Sequence, residues 1–198
     1  YNSVANVFAK MGEYEIALSY YQENLRVVRN IYGDEYGTAN TGGSTNYIED
    51  KDEIHILLSD FGEAQESVIG SFNPNDTYIS AYSEISNEKT MFNINSQWIS
   101  DDKYHILLST LAHEFQHMIY FYQREIARGL NTENDAYVNE MAAETASYFV
   151  SNVLQINDDV RGYAYDIGTA VDTPVDGRFE NLVSDQAFTE WRGDDANY

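Results

Sequence analysis

Two histidines four positions apart, inside a long apolar stretch, constrain this chain more than any other feature. The stretch is Leu111-Ala-His-Glu-Phe-Gln-His-Met-Ile119. On a helix, residues four apart lie on one face, one turn above the other. His113 and His117 can then offer two imidazole nitrogens to one metal ion, with Glu114 beside it. A catalytic zinc takes three protein ligands and keeps a fourth position open for water. The helix supplies two, so the third must come from elsewhere.

It does not come from a continuation of the same helix. The residues after His117 are Met118, Ile119, Tyr120, Phe121, Tyr122 and Gln123, with no glycine at the needed step and no third histidine. The alternative is a carboxylate from a second helix, and Asn139-Glu140-Met-Ala-Ala-Glu144 provides two. The interval from His117 allows the first helix to end, turn and return. Glu140 and Glu144 are themselves four apart and face one way. One can bind the metal while the other accepts a ring N–H from a ligand histidine, which orients the imidazole and raises its basicity. Glu140 is the expected ligand and Glu144, one turn further on, the outer partner.

A His-Glu-x-x-His motif followed by Asn-Glu-x-x-Ala-Glu resembles the gluzincin metallopeptidases, among them thermolysin and the aminopeptidase N family. The longer string 111–119 more closely resembles the hyicolysin-type bacterial neutral metallopeptidases. Three upstream pieces add to that likeness in the right order: Ile54-His-Ile-Leu-Leu58, Gly70-Ser-Phe-Asn-Pro-Asn-Asp76 and Ser86-Asn-Glu88. The resemblance covers residues 54 to 198. It implies a secreted or cell-surface zinc endopeptidase acting on peptide or protein substrates. Glu140 matches the family's ligand position, Glu144 the outer carboxylate and Glu114 the general base. No Gly-x-Met-Glu-Asn stretch is present, which disfavours the aminopeptidase branch. Members usually add a Tyr or His donor for the oxyanion; Tyr163, Tyr165 and Tyr198 are the candidates in this sequence, beside a donor outside the chain. Two other readings stay open: a binding or adhesion module on a degenerate zincin fold, and a peptidase that processes its own precursor.

The expected fold class is therefore α+β. A zincin-like domain over residues 47–198, with a mixed sheet and two ligand-bearing helices, would follow a helical hairpin over 1–36. Within the hairpin, Gly12-Glu-Tyr-Glu-Ile-Ala-Leu-Ser-Tyr-Tyr21 with Leu25 resembles the second helix of a tetratricopeptide repeat. One such unit cannot bury its own face, so it needs neighbouring repeats or the catalytic domain to pack on. The Gly-, Asn- and Thr-rich run 32–45 reads as a linker. Ile54, Ile56 and Leu58 alternate with His55, Leu57 and Ser59 as a strand does. Residues 78–82 and 89–94 are further strand candidates, with a turn at Asn73-Pro-Asn-Asp76 between them and the first strand. The motif helix is expected to be capped by Ser100-Asp101-Asp102 and to stop at Gly129. The second ligand helix should run from Ala136 to Leu154. His55 and His105 lack a histidine partner at helical spacing and read as structural.

Charge and composition narrow the function further. The net charge is −22, the wrong sign for binding phosphate backbones or an anionic membrane surface. Its plain reading is solubility; its functional reading is affinity for calcium or a cationic substrate. Asp158, Asp159, Asp166, Asp172 and Asp176 show no regular calcium-ligand spacing, so calcium has no motif behind it. There is no cysteine, hence no disulfide framework and no thiol chemistry. No apolar run is long enough to span a bilayer. Tyr1 opens directly into a helical pattern with no signal peptide, so the stretch reads as a fragment of something longer that a secretion signal could have preceded, and the catalytic domain reads as incomplete at its C-terminal side.

Overall fold

The computed structural model describes residues 14–35, 46–48, 53–99, 103–130 and 136–155. These residues form an α+β arrangement of three helices and one small mixed sheet. The helices are α1 (Tyr14–Tyr32), α2 (Tyr104–Phe121) and α3 (Ala136–Leu154). The strands are β1 (His55–Ser59), β2 (Gly70–Ser71) and β3 (Met91–Asn95). The sheet order is β1-β3-β2, with β1 parallel to β3 and β2 antiparallel to it. No described helix is long and apolar enough to cross a membrane.

Helix α2 is the centre of the fold. Its apolar residues surround the axis, and Leu108, Phe115 and Ile119 are almost wholly shielded from solvent. A helix apolar on all sides has to be covered on all sides. The sheet covers one flank through Ile56, Phe92 and Ile94, and α1 and α3 cover the rest. Small residues let α3 come close: Ala143, Ala146 and Ser147 are fully buried, and the Ser147 hydroxyl donates to the Ser109 carbonyl at 2.8 Å. From α1, Tyr21, Leu25, Val27 and Val28 enter the same core. Of the two supports open to the repeat-like segment, its second helix uses the α2–α3 pair. Its expected first helix lies outside the described residues.

In β1, Ile56 is buried while Leu57 is 47% exposed, the alternation expected of a strand with one face on the core. The turn at 73–76 is a short 3₁₀ segment, Pro74–Thr77, with the Asn73 side chain accepting from the Asn75 N–H. Residues 78–82 are not a strand. Tyr78 makes only an isolated bridge to Tyr47, and the chain then turns, with Tyr82 and Ser83 donating back to the Ile79 carbonyl. The tyrosines there pack on rings instead: Tyr78 stacks on Tyr47, contacts Tyr82, and meets Phe121 edge-on. Helix α2 departs from regular geometry at its end, where Tyr122–Ile126 forms a π turn before Gly129 takes a φ of +63°. Residues 100–102, expected to cap α2, and the 131–135 turn lie outside the described residues.

Candidate metal site

The site is made where α2 and α3 face one another. His113 and His117 stand one turn apart on α2, and Glu140 reaches them from the first turns of α3. Their ligand atoms converge. His113 Nε2 and His117 Nε2 lie 2.9 Å apart. Glu140 Oε2 is 3.4 Å from the first and Glu140 Oε1 is 3.4 Å from the second. Two ligand atoms bound at about 2.0–2.1 Å to a tetrahedral ion stand roughly 3.3 Å apart, so the carboxylate is already at coordination spacing.

The outer ring nitrogens show what the inner ones are free to do. His117 Nδ1 lies 3.0 Å from Asn139 Oδ1, and His113 Nδ1 lies 3.3 Å from Glu144 Oε1. Both partners are acceptors, so each Nδ1 carries the proton in the tautomer they favour, with the His113–Glu144 contact less well aligned than the His117–Asn139 bond. Each Nε2 then presents a lone pair. Two lone pairs 2.9 Å apart repel unless a cation or a proton lies between them, and a two-nitrogen, one-carboxylate set suits a divalent ion of borderline softness. The residues fit a metal. Among the described residues, His113, His117 and Glu140 form the one group of His, Cys, Asp or Glu side chains that could hold such an ion. His55 and His105 stand outside it.

Without an ion, a proton takes its place. Burial opposes a charge on His113, but hydrogen bonding to Glu140 and Glu144 and the charges of Glu144 and Glu114 outweigh it, pushing its pKa up to about 9. Burial works against ionised Glu140 too, yet His113 and His117 hold its pKa below the usual value. The site is thus tuned to contain positive charge. In the metal-free chain the raised His113 pKa stabilises the fold fully below its ordinary value of 6.5, and that contribution is lost as pH rises through about 9. Metal entry has to displace this proton. Metal affinity should therefore rise about tenfold per pH unit between pH 7 and 9 and level off above, which competition against a chromophoric chelator will measure. A flat profile over that range would contradict a protonated His113.

Glu114 is 6% exposed and adjoins His113 on the same helical turn. The sheet edge presses on it. A Cβ at Gly70 in β2 would lie 2.7 Å from Thr110 Cγ2 and 3.2 Å from Glu114 Cγ. Only a residue without a side chain lets this edge strand lie so close to the helix. Gly70→Ala should therefore displace β2 or Glu114 and destabilise the fold by about 1–3 kcal/mol, the cost of overpacking, which denaturant melting will check; an unchanged stability would show that the edge can give way freely.

Sequence reasoning brings together His113, His117, Glu114, Glu140 and Glu144, and in the structure they are neighbours. Asn139, which faces the His117 ring, has no role of its own in that reading. The signal was available: Asn139 immediately precedes Glu140, and a side-chain carbonyl there can face the second histidine. The 70–76 and 86–88 stretches also meet in the structure. Asp76 is buried, and its Oδ1 accepts from the Asn87 N–H and from Asn87 Nδ2 at 2.6 Å, joining the 70–76 and 86–88 stretches. Tyr163, Tyr165, Tyr198 and the acidic residues from Asp158 to Asp176 lie outside the described residues. No family model matches the chain, and no curated protein or solved structure matches it.

Proposed function

We propose that this chain is the catalytic part of a zinc-dependent endopeptidase of the gluzincin type, built on a zincin-like fold. One observation carries the proposal: two imidazole nitrogens and one carboxylate meet at coordination distance, and a further carboxylate, Glu114, adjoins them on a buried turn. A structural zinc site closes with four protein ligands, whereas the group here is two histidines and one carboxylate, which would leave a fourth position for water.

His113, His117 and Glu140 would hold the ion. Asn139 and Glu144 fix the two rings so that both Nε2 atoms point inward. Zinc, when bound, supplies a Lewis acid for the scissile carbonyl and lowers the pKa of a water toward neutrality. Glu114 takes the proton of the attacking water and returns it to the leaving amine. The β2 edge, held against Glu114 by Gly70, offers an extended substrate a strand to pair with. The proposed setting is secreted or at the cell surface, with peptides or unfolded proteins as substrates.

A fluorogenic peptide blocked at both termini tests the reaction class. The zinc-loaded chain should cleave it internally, and a chelator should stop the cleavage. Cleavage of peptides with a free amino terminus alone would point to an exopeptidase and overturn the proposal.

A further inference from the structure

The proposed metal centre needs α2 and α3 at a fixed separation, since two ligands ride on one and the third on the other. Nothing in the ligand set enforces that separation. Helix α1 contacts both helices through polar groups. Asn24, 1% exposed, donates from Nδ2 to the Leu108 carbonyl of α2 at 2.7 Å. Tyr32 donates its hydroxyl to the Ala142 carbonyl of α3 at 3.0 Å. Ala142 lies between Glu140 and Glu144 in sequence, so this one bond reaches the turn that carries both carboxylates.

Two further contacts continue the same support. The Arg29 guanidinium pairs with the buried Glu35 carboxylate and lies 5.5 Å from the centre of the Phe115 ring, next to Glu114 in the motif. Gln123, in the π turn that ends α2, donates to the Asp34 carbonyl at 2.8 Å. From Asn24 to Asp34 the segment thus touches α2 before, within and after the motif, and α3 at its ligand turn.

We infer that Asn24 and Tyr32 are positioning residues for the metal centre, setting the α2–α3 spacing through the Leu108 and Ala142 carbonyls. The repeat-like helix is then a working part of the site and not a separable repeat. This rests on the metal-site reading above and adds to it a role for a segment that supplies no ligand.

The test uses the full chain loaded with cobalt(II), whose visible bands report coordination geometry, together with zinc affinity by chelator competition. Tyr32→Phe keeps the ring and removes the one oxygen; Asn24→Leu keeps the size and removes the donor. Each should weaken zinc binding about tenfold, the low end for a group acting behind a ligand, and shift the cobalt bands. Should Asn24→Leu fail to fold, Tyr32→Phe decides alone. A lowered melting temperature with unchanged zinc affinity and unchanged cobalt bands would overturn the inference and leave α1 a structural brace. Wild-type protein that takes up no cobalt would instead overturn the metal-site reading itself.

Discussion

Glu114→Gln should lower peptide hydrolysis about 10²–10⁴-fold while the chain still binds one equivalent of zinc. The range is that for a positioned general base. It corresponds to roughly 2.7–5.5 kcal/mol of transition-state stabilisation. The amide is nearly isosteric, so the buried turn between His113 and Gly70 is not disturbed. Its oxygen can still accept a hydrogen bond from water, but it cannot take the proton. Loss of rate at constant metal content separates a chemical role for Glu114 from a structural one. Full turnover in the variant would remove Glu114 from the mechanism. Loss of metal along with rate would mean that Glu114 is a ligand.

Glu140→Ala should abolish stable metal binding, and activity with it. His113 and His117 would be left as a two-nitrogen site, which gives a zinc-sized ion too few protein ligands to be retained. Glu144→Ala makes the contrast. Glu144 touches the far side of the His113 ring, at Nδ1, so its loss should cost about 10–100-fold in affinity without removing a ligand atom. Measured side by side, the two variants rank the carboxylates. If Glu144→Ala proved the more damaging, ligand and outer partner would have to be exchanged.

Helices α2 and α3 were the most legible parts of the sequence. Long apolar periodicity around His113 and His117 marks α2, and α3 runs from Ala136 to Leu154 as its pattern predicts. The grouping of His113, His117 and Glu140 was legible for the same reason, because helical spacing converts a short motif into a geometry. What escaped was set by contacts between distant segments. The Tyr78-Ile-Ser-Ala-Tyr82 alternation looks like a strand, but Tyr78 gathers on Tyr47, Tyr82 and Phe121 and not into a ladder. Strand β2 is only Gly70 and Ser71, residues without strand propensity, and its place follows from the close approach to Thr110 and Glu114. The π turn at 122–126 left no periodic trace either; there Glu125 accepts from both the Tyr47 and Tyr78 hydroxyls. Nor could pattern alone say that Asn24 and Tyr32 reach the carbonyls of two other helices.

The most direct test of the account is a zinc titration of the metal-free chain, followed by cleavage of unfolded casein. The rate should rise in step with bound zinc and reach its plateau at one equivalent per chain, and a chelator should return it to zero. Hydrolysis that proceeds without zinc, or one bound equivalent that brings no hydrolysis, would contradict a metal centre that works as a peptidase.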